Sequence, residues 1–388
     1  MARLAGLFNL FSPLFQKFFT ALNSSIGSYA LAIILLTLIL KLIFLPLDFW
    51  QRYSMKYTQI KNVEMQEDLM KVQVRYGKDK NALNQKQMEI YKKHNFNPVM
   101  GCLPMLLSLV FTLLIYTSMF NGMNVVSANL MKEQYTTLKG VYEQIYETTW
   151  NASYIGNETD YDLLDYYLTP EGEKDPTKET ENAQIEAQNA IIQAKRDELN
   201  TASVKAGQQA VKTEYENNKD LHQGFIWIKS IWRADNFSGV IPNAEEYFKT
   251  VDKNATGDAK AEYNIVMNDL INADYGWNGY FILPVLAFVT TWGVMELGNL
   301  GNKKNKNKNN LNDQMQMPNA GKITKWIMPA LMAILCFSTS STFGIYLVAS
   351  QIFSGLTTLA INPIVNVIIN KKLKKQKEKT KPVISYSR

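Results

Sequence analysis

Lys41 has the least expected surroundings in this sequence. It stands between Leu38-Ile39-Leu40 and Leu42-Ile43-Phe44, inside an apolar stretch from Tyr29 to Phe49. A lysine near a bilayer centre costs about 2.5–3.5 kcal/mol on insertion scales. Seven residues separate it from Asp48, about 10 Å along a helix. A lysine side chain reaches roughly 6 Å, so snorkelling to the headgroups falls short. A wet cavity at that depth is the better solution. Its chemistry would be electrostatic: an ammonium that attracts an anion, with no bond made or broken.

Polar groups are available to line such a cavity. Thr37 lies on the same stretch as Lys41, and Ser108 and Thr112 repeat at i, i+4 in a second apolar stretch. The last stretch carries Ser350, Gln351, Ser354, Thr357 and Thr358. Ser350, Ser354 and Thr357 recur at i, i+4 and i+7, one face of a helix. Small polar residues also glue membrane helices together, but with Lys41 among them a polar groove is expected. Asp48 and Glu296 sit near the ends of their stretches. The missing anion is therefore expected from a ligand.

Other chemistries find no support. Two cysteines make neither a disulfide framework nor a four-cysteine zinc site. Cys102 and Cys336 both lie in apolar runs and read as small buried hydrophobes. His94 and His222 are too few for a three-histidine site. No P-loop, HExxH, GxSxG or GxGxxG occurs. The expectation is a protein that is not an enzyme, with no metal and no cofactor.

The elements that must position Lys41 follow from how 388 residues distribute their charge. Residues 121–276 hold 26 acids and 14 bases, a net of −12; the rest holds 27 bases and 9 acids, a net of +18. The total of +6 hides an acidic block between basic ones. The fold class predicted is an all-α polytopic membrane protein with five spans, at 28–50, 101–120, 277–297, 323–339 and 343–369. The 47 residues from Ile323 to Ile369 make about 70 Å of helix, two crossings of a core about 30 Å thick. The turn between them is Ser338-Thr339-Ser340-Ser341-Thr342. Ten bases in 51–100, six in 298–325 and eight in 370–388 place those segments in the cytoplasm. The N-terminus and the acidic block are then outside.

Leu4, Leu7, Phe8, Phe11, Leu14, Phe15, Phe18, Phe19 and Leu22 fall on one face of a helix. Residues 1–27 therefore read as an amphipathic helix lying on the membrane. The rival, a signal peptide, is opposed by Lys17 and by the lack of a small-residue cleavage site. Segment 51–100 reads as a helical hairpin with its turn at Gly77-Lys78-Asp79. Met55, Met65, Leu69 and Val72 mark the first helix, and Leu83, Met88, Ile90 and Tyr91 the second. Basicity and flexible methionines favour a docking role over a mere connector. Block 121–276 is an extracytoplasmic insertion. Pro170 to Thr180 is a linker, Glu181–Asn217 favours helix, and Gly224-Phe225-Ile226-Trp227-Ile228 is suited to the membrane interface. Sequons start at Asn151, Asn157, Asn236 and Asn254. Segment 298–322 is a basic cytoplasmic loop and 370–388 a basic cytoplasmic tail.

At this point the sequence resembles the YidC/Oxa/Alb family of membrane protein insertases, in its Gram-positive-type bacterial form. Leu31 to Thr37, Lys41 and Leu45-Pro46-Leu47 look like that family's first core span. Ser54-Met55-Lys56, Tyr91-Lys92-Lys93-His94-Asn95, Asn97-Pro98 and Gly101-Cys102-Leu103-Pro104 continue the match. Ile282-Leu283-Pro284-Val285 with Thr290-Thr291, Trp326-Ile327-Met328-Pro329 and Gly344-Ile345-Tyr346 resemble the later spans. Phe225 to Ile228 resembles the short aromatic segment ahead of the third. The likeness covers about half the chain.

The resemblance implies five helices around a hydrophilic groove open to the cytoplasm and lipid and closed outside. Its basic residue, here Lys41, attracts an acidic or polar substrate stretch while the apolar helix partitions into lipid, and no nucleotide is used. Partners so implied are nascent membrane proteins, the Sec translocon, the signal recognition particle or its receptor, the ribosome and membrane lipids. Lys371, Lys372, Lys374, Lys375, Lys377, Lys379 and Lys381 suit ribosomal RNA or anionic lipid equally. A bacterial plasma membrane is the expected home. Departures are visible. The family's groove residue is usually Arg, whereas Lys is a point charge. Val294-Met295-Glu296 stands where a Gln-Gln-Lys pattern often ends the third span. The outer block is far longer than in short members, and no early Cys suits a lipoprotein signal. Two other classes compete: a small-anion transporter, for which no internal repeat is seen, and a receptor or scaffold working through 121–276, which leaves Lys41 unexplained.

Overall fold

The computed structural model describes residues 11–94, 96, 98–155, 179–300 and 320–379. Among them the regular structure is helical, with one isolated bridge between Phe225 and Ile228. Leu4, Leu7 and Phe8, the sequon at Asn157, most of the Pro170–Thr180 linker, most of the 298–322 loop and Lys381 lie outside the described residues. The helices form two compact units.

The first unit comprises Met1–Met123, Arg233–Phe237 and Gly279–Arg388. Helix α1 (Ser12–Ile26) buries Phe15 and Phe19 and leaves Phe11, Leu14 and Phe18 exposed. It thus carries apolar side chains on its buried and on its exposed side. Gly122 permits this seat, because a Cβ there would come within 2.8 Å of Phe15 Cβ. Helix α2 (Tyr29–Ile43) follows after Gly27, which caps α1 at φ +70°. Tyr29 Oη donates to Met123 O at 2.7 Å.

The expected first span 28–50 is broken. Helix α3 (Leu45–Tyr76) starts at once but is bent by 53° from α2. Pro46 in its first turn explains the bend, since it lacks an N–H and its ring clashes with the carbonyl four residues back. Helix α4 (Lys80–Lys93) returns along α3 after Gly77-Lys78-Asp79. Asp79 caps it, accepting from Asn81 N at 3.0 Å and Ala82 N at 3.1 Å. Met65 and Ile90 are buried in this hairpin, whereas Met55 and Met88 are exposed.

Helix α5 runs over Pro98–Ile155 and contributes to both units. The span expected to end at 120 continues as helix: Asn121, Gly122 and Asn124 are weak helix formers, but no proline interrupts the run to Ile155. By length and composition Leu106–Asn151 and Ser341–Lys372 suffice to cross a membrane, and the bent α2–α3 pair makes a third crossing if it counts as one. Ile282–Gly298 and Lys325–Ser338 are apolar but shorter.

The second unit, Asn124–Trp232 with Ser238–Asn278, answers a question the sequence left open. The later part of α5 packs with α6 (Glu179–Asn217), α7 (Ala244–Val251), α8 (Gly257–Val266) and α9 (Asn268–Ile271). Leu138, Val211, Tyr215, Tyr247, Tyr263 and Leu270 fill its core. Tyrosine rings meet there, Tyr247 stacked on Tyr263 at 4.5 Å and Tyr135 tilted against Tyr263 at 4.9 Å. Asn243 and Glu246 form a capping box at α7.

Candidate functional site

Helices α10 (Ile282–Leu300), α11 (Ala320–Ser338) and α12 (Ser341–Lys379) pack on one another in the first unit, and α12 packs on α2. Gly344 and Gly355 let α12 approach α10: a Cβ at 344 would stand 2.9 Å from Leu283 Cδ1, and one at 355 would stand 3.4 Å from Val294 Cγ2. Small residues at such crossings allow backbone proximity. The face of α12 that carries Ser354 is thereby turned toward α2.

Lys41 meets that face. Its Nζ donates to Ser354 Oγ at 2.9 Å and lies 5.9 Å from the Tyr116 ring centroid. Around it opens a cavity of about 130 Å³, lined by Lys41, Asp48, Gln51, Arg52, Ser108, Thr112, Tyr116, Ser354 and Thr357, with Phe44, Leu47 and Ile115. Volume and lining both suit water and a polar guest.

The cavity gathers Lys41, Ser108, Thr112, Ser354 and Thr357 from three separate stretches of sequence. Thr37, Ser350 and Gln351 are not among its lining residues. Thr37 is buried, and its hydroxyl donates to Ile33 O at 2.7 Å. Sequence reasoning missed Asp48, Gln51, Arg52 and Tyr116. Asp48 and Arg52 follow Lys41 at i+7 and i+11, two and three helical turns on, and the bend keeps them on the cavity. An acid thus lines the same cavity as the lysine. Asp48 is engaged by Arg52, whose Nε donates to it at 2.9 Å. Arg52 Nη1 also reaches Asn362 Oδ1 at 3.4 Å. Glu296 pairs with Lys325 at 2.7 Å.

The chain segment Arg233–Phe237 returns to the first unit and caps two of its helices. Asp235 is fully buried and accepts from Tyr280 N at 2.7 Å and Leu283 N at 2.6 Å, at the start of α10. A carboxylate is favourable there, where unpaired N–H groups and the helix dipole face it. Gly279 makes room, for a Cβ there would lie 1.8 Å from Asp235 Oδ1. Arg233 O accepts from Ser341 N at 2.8 Å and Ser341 Oγ at 2.7 Å, at the start of α12.

In the hairpin, Asp68 accepts from Lys93 Nζ at 3.1 Å and meets His94 Nε2 at 3.3 Å. The Lys93 hydrogen bond, then that of His94, holds its carboxyl below the usual carboxylate range. In the tail, Lys371 is exposed. Lys372 is exposed too; it lies 4.6 Å from the Tyr57 ring centroid and donates to Tyr53 Oη at 3.1 Å. The side chains of Lys374, Lys375, Lys377 and Lys379 lie outside the described set, as does that of Cys102. Among the described residues no group of three or more His, Cys, Asp or Glu is placed to hold a metal ion.

Comparison with known proteins bears on this arrangement. The family model described as "60Kd inner membrane protein" matches residues 21–150. A protein named membrane protein insertase YidC from Fusobacterium nucleatum is 35% identical over 103 residues, 26% of this chain and 48% of that protein. The protein of that name from Oleidesulfovibrio alaskensis is 40% identical over 106 residues, 27% of this chain and 18% of its own. The one from Francisella tularensis subsp. novicida is 35% identical over 111 residues, 29% of this chain and 19% of its own. The chain thus spans less than half the length of each of these relatives.

Proposed function

We propose, from the premise that this chain belongs to the YidC/Oxa/Alb family, that it is a membrane protein insertase and chaperone of a bacterial plasma membrane. It is not a catalyst of bond chemistry. Five spans enclose a groove, with the N-terminus outside and the tail in the cytoplasm. The apolar helix of a nascent membrane protein gains free energy by leaving water, and the barrier is its polar flank. A wet cavity part-way across shortens that barrier. Lys41 then attracts the flank when it is acidic, and the hydroxyls of Ser108, Thr112, Ser354 and Thr357 stand in for water.

The observation that carries this reading is the ammonium of Lys41 on a polar cavity, bonded to a neutral hydroxyl while the neighbouring carboxylate of Asp48 is engaged by Arg52. An incoming carboxylate finds a cation that is only lightly held. The hairpin receives the substrate, and the basic tail, with Lys371 and Lys372 both exposed, approaches the ribosome or anionic lipid. The Sec translocon and the signal recognition particle or its receptor are partners under this reading.

Replacement of Lys41 by Arg, Gln or Glu in proteoliposomes tests it, with a single-span substrate carrying an acidic N-terminal tail. Arg is expected to support insertion. Gln is expected to slow it about tenfold, the loss of one charge-assisted hydrogen bond of about 1.4 kcal/mol or more. Glu is expected to slow it further. Equal insertion by all four proteins would sink the electrostatic groove.

A further inference from the structure

The segment Gly224 to Ile228 closes on itself. Phe225 N donates to Ile228 O at 2.8 Å, and Ile228 N donates back to Phe225 O at 2.9 Å. Ile226 and Trp227 are the two central residues of this tight turn. Ile226 has φ +54°, a left-handed value, whereas Trp227 does not. Positive φ at the first central residue alone is the pattern of a type II′ turn, a place for glycine. A β-branched residue there is strained. Ile226 is also 80% exposed, so no packing within the protein offsets the strain.

The turn is held rigidly. Lys229 N donates to Asn278 O at 3.1 Å, Ser230 N to Asn278 Oδ1 at 2.7 Å, and Asn278 Nδ2 to Ser230 O at 2.9 Å. Ile228 and Asn278 are buried. At Gly224 a Cβ would lie 2.9 Å from Ile228 O, which fixes glycine at that point. Trp277, beside the anchoring asparagine, is 53% exposed. Asn278 precedes Ile282, the first residue of α10, by four positions. Chain length alone keeps it within about 14 Å of that span.

We infer that Ile226 is a membrane-contact tip that inserts into the outer surface of the lipid bilayer, with the exposed Trp277, next to the anchoring Asn278, as a second contact. Strain retained at an exposed aliphatic side chain points to a contact outside the protein. The short tether of Asn278 to α10 puts lipid at the outer end of that span within the turn's reach, and a tryptophan suits that depth. The block around it is acidic, net −12 over 121–276, so charge attraction to anionic headgroups does not drive the contact. Apolar insertion does. The inference rests on the reading of α10 as a span, and the test separates the two.

The full-length protein, with Cys102 and Cys336 replaced by alanine, carries a polarity-sensitive fluorophore at Ile226→Cys or, separately, at Val289→Cys. Val289 is an exposed residue of α10. Each is reconstituted into phosphatidylcholine–phosphatidylglycerol vesicles with spin-labelled lipids. The 226 probe is expected to emit to the blue and to be quenched about twofold more by a headgroup-level label than by a deep one. The 289 probe is expected to show the reverse order. Aqueous emission at 226 with lipid quenching at 289 overturns the membrane tip. So does shielding of 226 from soluble iodide without lipid quenching, which would mean a protein partner or a second copy. Loss of lipid quenching at both positions overturns the span itself. Ile226→Gly is an independent check. It is expected to raise Tm by about 2–4 °C by relieving the backbone, and a lower Tm would show that Ile226 serves the fold.

Discussion

A single lysine sets the problem, and its neighbours decide what it can do. An ammonium buried against a full carboxylate would be a closed ion pair, hard to open and of little use to a passing substrate. Here the strong partner of Asp48 is Arg52, and among the described residues Lys41 holds a serine hydroxyl and an aromatic face. Residues of the second unit show the opposite case, groups closed by burial. Desolvation pushes the phenols of Tyr215 and Tyr247 up to about 12. A group with a raised folded pKa contributes stability that is complete below its unfolded value of about 10 and is lost as pH rises through its folded value. The second unit is therefore expected to weaken between about pH 10 and pH 12. Tyrosinate absorbance should appear together with loss of near-ultraviolet dichroism; tyrosinate formed in full well before any loss of dichroism would show that these phenols are not buried.

At the scale of elements, the molecule is organised by how helices begin. Asp235 and Arg233 close the starts of α10 and α12 from a segment more than 40 residues earlier in the chain. Removing the carboxylate with Asp235→Ala should cost about 2 kcal/mol, read as a lower denaturation midpoint. Gly279→Ala should be at least as costly, because its methyl displaces the carboxylate. A neutral result for both would remove the cap from the account. None of this was visible in sequence. Asp235 was one of 26 acids in a block whose fold could not be read, and a cap formed across such a separation leaves no local pattern. What was legible was local or chemically improbable. The hairpin turn at Gly77-Lys78-Asp79, the helix near 181–217 and the break at Thr339-Ser340 all carry their own signals. Lys41, Ser108, Thr112, Ser354 and Thr357 stood out because polar groups are expensive in apolar stretches. Asp48 reads from sequence as a residue of the span end, and Arg52 as one of the ten bases of segment 51–100. Pro46 is what brings them back, by bending α2–α3 by 53°. Lys372, counted among free tail lysines, is held by Tyr53 and Tyr57, since α12 continues as a helix along α3.

Over the whole molecule, the chain forms two compact units. The cavity, Lys41 and the helix caps all belong to the first unit. The second has its own core and its own charge. Deletion of about residues 130–220 is therefore expected to spare insertion, and complete loss of insertion by a still-folded deletion protein would move the function outward. The central claim is that Lys41 acts through its charge on the charge of the substrate. The most direct measurement pairs Lys41 and Lys41→Glu proteins in proteoliposomes with two single-span substrates, one with an acidic and one with a basic N-terminal tail, and follows insertion of each. A charge-based groove predicts a crossing of preference: Lys41 favours the acidic tail and Lys41→Glu the basic one. If Lys41→Glu loses both substrates alike, or neither, the electrostatic account of this site is wrong.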